Sequence, residues 1–198
     1  MELYLESRSM NGFFESFQTF SVRPEPVEGL RESFHRPIIL AKLIADQKSK
    51  KEILMKAVPS FKLTQEGCDL IVNAAIEKAK ELKQIVSIAV VDAGGHLFAF
   101  KRMTNGRTHN THLALAKARG AALTTAATGK TNREGAEIPD HQVLAQTLGV
   151  GPGWFISLEG GLPITLEGQC IGGVGVSGGP SAVDRQIGQA GIDAFSKA

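Results

Sequence analysis

Apolar positions along this chain become orderly at Phe61. Thr64 is the expected N-cap of a first helix, with Glu66 in the first turn, where the helix dipole favours a carboxylate. Leu70, Ile71, Ala74, Ala75 and Leu82 then fall on one helical face, and Glu77, Lys78 and Lys80 fall elsewhere. Residues 85–91 form a nearly continuous, β-branched apolar run, which predicts a buried strand. Asp92-Ala-Gly-Gly95 supplies turn chemistry, and Leu97–Arg102 returns as the partner strand, with Phe98 and Phe100 on one face and Lys101 on the other. After a turn at Asn105-Gly106, a helix is expected from Asn110 or Thr111 to about Thr128, its buried side built from Ala114, Ala118 and Ala121. Residues 129–153 read as irregular, apart from a short helix within 139–148. Three short strands follow at 154–158, 162–166 and 169–177, and a helix over 182–195 closes the pattern.

The order is helix, two strands, helix, three strands, helix. Hairpins dominate and no βαβ unit repeats. This predicts an α/β fold of the α+β type, with one five-stranded antiparallel sheet flanked by helices.

The first part of the chain follows another rule. Residues 1–58 hold Phe13, Phe14, Phe17, Phe20 and Phe34 without a sustained period, and Pro24 and Pro26 keep the segment around them extended or turned. They are expected to be a poorly ordered or partly helical extension, with one helix over 37–51, ahead of a domain over 59–198. Ser-Val-Arg-Pro-Glu-Pro-Val-Glu-Gly resembles a translation product of dispersed palindromic repeats of bacterial genomes. The native start is accordingly expected at Met55.

Composition narrows the classes. The net charge is +2 over 198 residues, so no basic field argues for nucleic acid, and Lys48, Lys50 and Lys51 read as a solvated helix end. The longest apolar run, 38–45, is interrupted by Lys42 and is far shorter than the roughly 20 residues of a membrane span. The N-terminus has no basic start leading into an apolar core, so a cytoplasmic protein is expected. Cys68 and Cys170 lie in apolar-periodic segments with no Cys-x-x-Cys, and read as small core residues.

Gly173-Val-Gly175-Val-Ser-Gly178 formally matches a dinucleotide fingerprint, but its glycines lie inside the last strand instead of opening a helix. Glycines so placed permit close backbone approach, either to a neighbouring subunit or to a flat ligand. Gly129-Lys130-Thr131 follows a helix and has Thr124 where a phosphate-binding loop needs glycine. His109 and His112, three apart at a helix start, share a face and could serve a metal, or stand exposed. Met103 could be a soft axial ligand or a packing residue. Asp92 suits a turn, and Asp184 with Arg185 falls in the first turn of the last helix, where Arg185 could pair with an acidic group across an interface. No Ser/His/Asp or Cys/His order with a nucleophile elbow is present, so side chains give no support for enzyme chemistry.

Taken together, Ser87-Ile-Ala-Val-Val-Asp92-Ala-Gly94-Gly95-His-Leu, Phe100-Lys-Arg102-Met103, Ala116-Lys-Ala-Arg119, Gly161-Leu-Pro-Ile, Gly172-Gly-Val-Gly-Val-Ser-Gly178 and Gln189-Ala-Gly191 resemble the GlcG/HbpS family of haem-binding and tetrapyrrole-associated proteins, whose members include the C-terminal domain of PduO-type corrinoid proteins. The resemblance runs over about residues 61–197. It implies a profilin-like fold, assembly into homo-dimers or larger oligomers, and a flat tetrapyrrole against a subunit surface, with haem as the cofactor and a corrinoid as the alternative. Asp92, Gly94, Gly95, Arg102, Gly173, Gly175 and Gly178 enter as its structural motif residues. Residues 65–83 lack the histidine that is an axial ligand in some relatives, and the threonine that follows the second helix in many members corresponds to Thr131. Cofactor binding is therefore expected at His109, His112, Thr131 and Met103, with the two histidines as the metal candidates. The implied function is non-enzymatic haem sensing, carriage or protection. A haem-degrading or redox enzyme and an oligomeric accessory protein are the alternatives.

Overall fold

The computed structural model describes residues 56–132 and 134–198; the helix expected at 37–51 and the start expected at Met55 lie outside them. Pro59–Ala198 forms one compact unit. Its elements are α1 (Gln65–Glu81), β1 (Ser87–Asp92), β2 (Leu97–Arg102), α2 (His109–Thr124), α3 (Asp140–Val150), β3 (Gly161–Leu166), β4 (Gln169–Ser177) and α4 (Ser181–Lys197). The strands form an antiparallel sheet in the order β2-β1-β4-β3.

Strand periodicity divides the core. Ile88 and Val90 of β1 join Val174 and Val176 of β4 in a cluster under α1 and α4, to which Cys68, Ile71, Ala75, Ala79 and Ile187 contribute. The intervening Ala89 and Val91 face the other way, against Ala114, Ala118 and Ala122 of α2. On α1 the buried stripe is Cys68, Ile71, Ala75 and Ala79, at spacings of three and four. Leu70, expected on that face, lies one residue off the stripe and is exposed. Thr64 caps the helix, its hydroxyl accepting from the Gly67 amide at 3.1 Å.

A glycine strand explains how α2 sits so close. A Cβ at Gly173 would strike the Ala118 carbonyl, and one at Gly175 would strike the Ala114 carbonyl and the Ala118 amide. The partner in that close approach, left open between a subunit and a flat ligand, is the backbone of the chain's own helix. Small residues on both surfaces let helix and strand touch along their main chains.

Two expectations change. The helix expected to reach Thr128 ends at Thr124, because Thr125 takes a left-handed conformation with φ of 53°. The sheet has four strands among the described residues, not five, since 154–158 is not a strand. Gly151 and Gly153 carry φ of 99° and 80° just before it, which turns the chain. Trp154 then lies under the Arg119 guanidinium and Phe155 over Gly120, so the segment crosses α2 instead of running beside the sheet. The β-branched and aromatic pattern there serves helix contacts.

A bulge also alters β2. Val90 pairs with Ala99 and Val91 with Leu97, which leaves Phe98 as the extra residue. Phe100 packs against the alanine cluster of α2, whereas Phe98 borders a small cavity with Leu63 and Ile171. The two phenylalanines expected on one face therefore have different neighbours.

Candidate functional site

The hairpin turn shows how local sequence builds geometry around α2. Asp92 Oδ1 accepts from the Gly94 and His96 amides, each at 2.9 Å, and Gly95 follows with φ of 80°. That turn presents the Gly95 carbonyl to Arg119, whose Nε donates to it at 3.0 Å. The same guanidinium donates to the Gly153 carbonyl at 3.3 Å and lies 4.2 Å from the Trp154 ring centre. Trp154 in turn meets His96 edge-on at 6.2 Å. Arg119 thus ties the β1–β2 turn to the loop before β3.

On its inward side α2 sends Lys117 to Asp184, in the first turn of α4. Their charged atoms are 2.9 Å apart, and the side chains are only 3% and 2% exposed. Lys117 Nζ also donates to the Val176 carbonyl at 2.8 Å, and Asp184 Oδ1 accepts from the Gly179 amide at 2.9 Å. This buried ion pair joins α2, the end of β4 and α4. Sequence reasoning missed its role. A signal existed, because Lys117 is three positions from buried Ala114 and four from buried Ala121, which puts it on the inward stripe.

Beyond the C-terminus of α2 the chain opens into a cavity of about 660 Å³. Thr128, Thr131 and Asn132 line it from the loop, Glu159 from the approach to β3, Cys170 from β4 and Arg185 from α4. Thr128 holds the loop in place. Its hydroxyl donates to the Leu158 carbonyl at 2.7 Å and accepts from the Gly161 amide at 2.9 Å. A second cavity of about 270 Å³ shares Thr128, Thr131 and Asn132 and reaches Phe155 and the α3 residue Gln146.

Thr131 is the one residue of the expected binding set that lines these cavities. His109 and His112 are exposed at the opposite end of α2, a 16-residue helix about 24 Å long. Met103 packs against the larger core cluster. The structure therefore does not bring the two histidines, Met103 and Thr131 together within one protomer. Among the described residues, no group of three or more His, Cys, Asp and Glu could hold a metal ion. Asp140 and Lys130 lie 3.7 Å apart at the exposed loop edge.

The cysteines differ. Cys68 is buried in the core, and burial, reinforced by the nearby Asp69 charge, pushes its thiol from the ordinary 9.0 up to about 11. Cys170 is half-buried on the cavity wall, and both are free thiols. Among the described residues, no helix is long and apolar enough to cross a membrane.

The same arrangement of helices and sheet recurs in solved relatives. A complex of PduOC with haem superposes with a TM-score of 0.59 at 29% identity, covering 68% of this chain and 95% of that one. A double mutant of HbpS from Streptomyces reticuli gives a TM-score of 0.59 at 31% identity, over 70% of this chain and 90% of that one. In sequence, Protein GlcG of Escherichia coli K12 is 38% identical over 115 residues, 58% of this chain and 81% of that protein. The family described as haem degrading protein HbpS-like matches residues 63–193, from the residue before the α1 cap to the last turns of α4. With the hairpin turn, the glycine strand and the alanine helix all inside that span, the chain belongs to the HbpS-like family.

Proposed function

We propose that this protein binds haem, or a closely related tetrapyrrole, in the cavity beyond the C-terminus of α2, and acts in haem sensing, carriage or protection. The observation that carries the reading is the cavity itself. Its volume of about 660 Å³ falls within the range of roughly 300–1,000 Å³ typical of small-molecule sites, and it is built on the loop that holds Thr131. The lining is mainly polar and suits the acidic edge of such a ligand. Arg185 offers a cation for a carboxylate and Thr131 a hydroxyl for a polar contact, whereas the Cys170 thiol is turned to the Ala122 and Gly172 carbonyls. When bound, haem would supply ligand binding or redox chemistry at iron. The cavity wall would orient the ring through the polar groups it carries, Arg185, Thr131 and Glu159 among them. Family membership and the haem complex of a structural relative support the same reading.

Titration of the full chain with haemin tests it. A saturable shift of the Soret band is expected, with a cobalamin titration run beside it for the corrinoid alternative. Absence of both a shift and saturation would sink the haem reading. Loss of the Soret band on adding a reductant in air would move the assignment to the haem-degrading enzyme that the family description names.

The accessory-protein reading has one observation of its own. α3 has no buried residue, and Leu144 and Leu148 are 59% and 66% exposed. A stable homo-oligomer that takes up no haemin in the same titration would favour it.

A further inference from the structure

We infer that Arg185 is the carboxylate-recognition residue of the 660 Å³ cavity, so that the ligand is an acidic ring compound held through a side-arm carboxylate at the α4 end. The inference rests on the tetrapyrrole reading above and adds to it the chemistry by which the ring is selected and oriented.

Arg185 lines the cavity, is exposed, and has no ion pair or hydrogen bond with any other described residue. Its position has no evident structural gain. Arg185 is the fifth residue of α4, near the end whose dipole offers a cation no gain. The acidic neighbour in sequence cannot neutralise it, because Asp184 is turned inward with one carboxylate oxygen on Lys117 and the other on the Gly179 amide. Glu159 lines the same cavity without pairing to Arg185. The cavity therefore carries a free guanidinium and a separate carboxylate on its wall. A ligand carboxylate would be attracted to the first and repelled by the second, which gives an acidic ring one favoured orientation. The planar guanidinium suits this task, since it can donate two parallel hydrogen bonds to one carboxylate.

The experiment compares haemin, which has two free carboxylates, with haemin dimethyl ester, which has none. The full chain is titrated with each, as wild type, Arg185→Ala and Glu159→Gln. Arg185→Ala is expected to weaken haemin binding by about 10- to 100-fold, the range of a charged hydrogen bond, and to leave ester binding unchanged. Glu159→Gln is expected to tighten haemin several-fold without changing the ester. Thermal unfolding of each variant checks that the fold is retained, as the exposure of Arg185 predicts. Unchanged haemin affinity in Arg185→Ala would overturn the inference, and so would an equal loss for both ligands, the mark of a merely structural residue. If the wild type binds the ester as tightly as haemin, the tetrapyrrole reading stands and the role of Arg185 falls. If it binds neither, both fall.

Discussion

Lys117 and Asp184 are the clearest case of a single-residue decision in this molecule. Two charges lie in the interior, 2.9 Å apart, each with further hydrogen bonds to the backbone. Such a pair adds little net stability compared with apolar residues of the same volume, but removing one member strands the other in a low-dielectric site. Lys117→Met is therefore expected to destabilise the fold by about 3–5 kcal/mol, and a second change, Asp184→Leu, should restore much of the loss. Urea unfolding of the two variants checks this, and a Lys117→Met midpoint close to wild type would refute it. The site was less legible in the sequence at this scale than the fold was. The turn role of Asp92 could be read from local chemistry, whereas Thr131 entered only through the resemblance to the family. Arg185, Cys170 and Glu159 come to the cavity wall from separate elements, and no periodicity links them to Thr131. The histidine pair drew notice because its spacing is local, yet it stands at the far end of α2 from the cavity.

At the scale of elements, the contact between α2 and β4 depends on the absence of side chains. Gly175 faces the Ala114 carbonyl and the Ala118 amide, both backbone groups that cannot swing aside. Gly175→Ala is therefore expected to cost about 3 kcal/mol, the upper part of the range for overpacking, because the helix must shift. Gly149→Ala is the matched control. Nothing lies within 4 Å of a Cβ there, and alanine in a helix should stabilise by about 0.5–1 kcal/mol. Equal melting temperatures for the two variants would contradict this account of the packing. Most elements were legible because period and punctuation agree, with β2 and β4 falling at Leu97–Arg102 and Gln169–Ser177 as expected. The segment 154–158 failed because a short apolar run reads alike whether it pairs with a strand or crosses a helix. What decides is the long-range hold of Arg119 on Trp154, which the local pattern does not contain. The Phe98 bulge was hidden for the same reason, since register belongs to the pair of strands.

For the molecule as a whole, one buried group links the core to solution pH. Cys68 belongs to the cluster that joins α1 and α4 to the sheet, so its thiolate forms readily only when that core opens. Its thiol is raised from 9.0 to about 11 in the folded protein. The folded state consequently holds this proton over a window where the unfolded chain has released it, and stability falls as pH rises through that window. Below about pH 9 the contribution is fully present; by about pH 11 it is gone. The difference amounts to on the order of 2–3 kcal/mol. Other groups titrate in alkali as well, so the test is a comparison: urea unfolding of wild type and Cys68→Ala at steps from pH 8 to roughly pH 11, under reducing conditions. The alanine variant should be the less stable at pH 8, having lost buried volume, and the gap should narrow or reverse as pH rises. Two curves that stay parallel across the whole range would mean that the Cys68 thiol does not couple to unfolding.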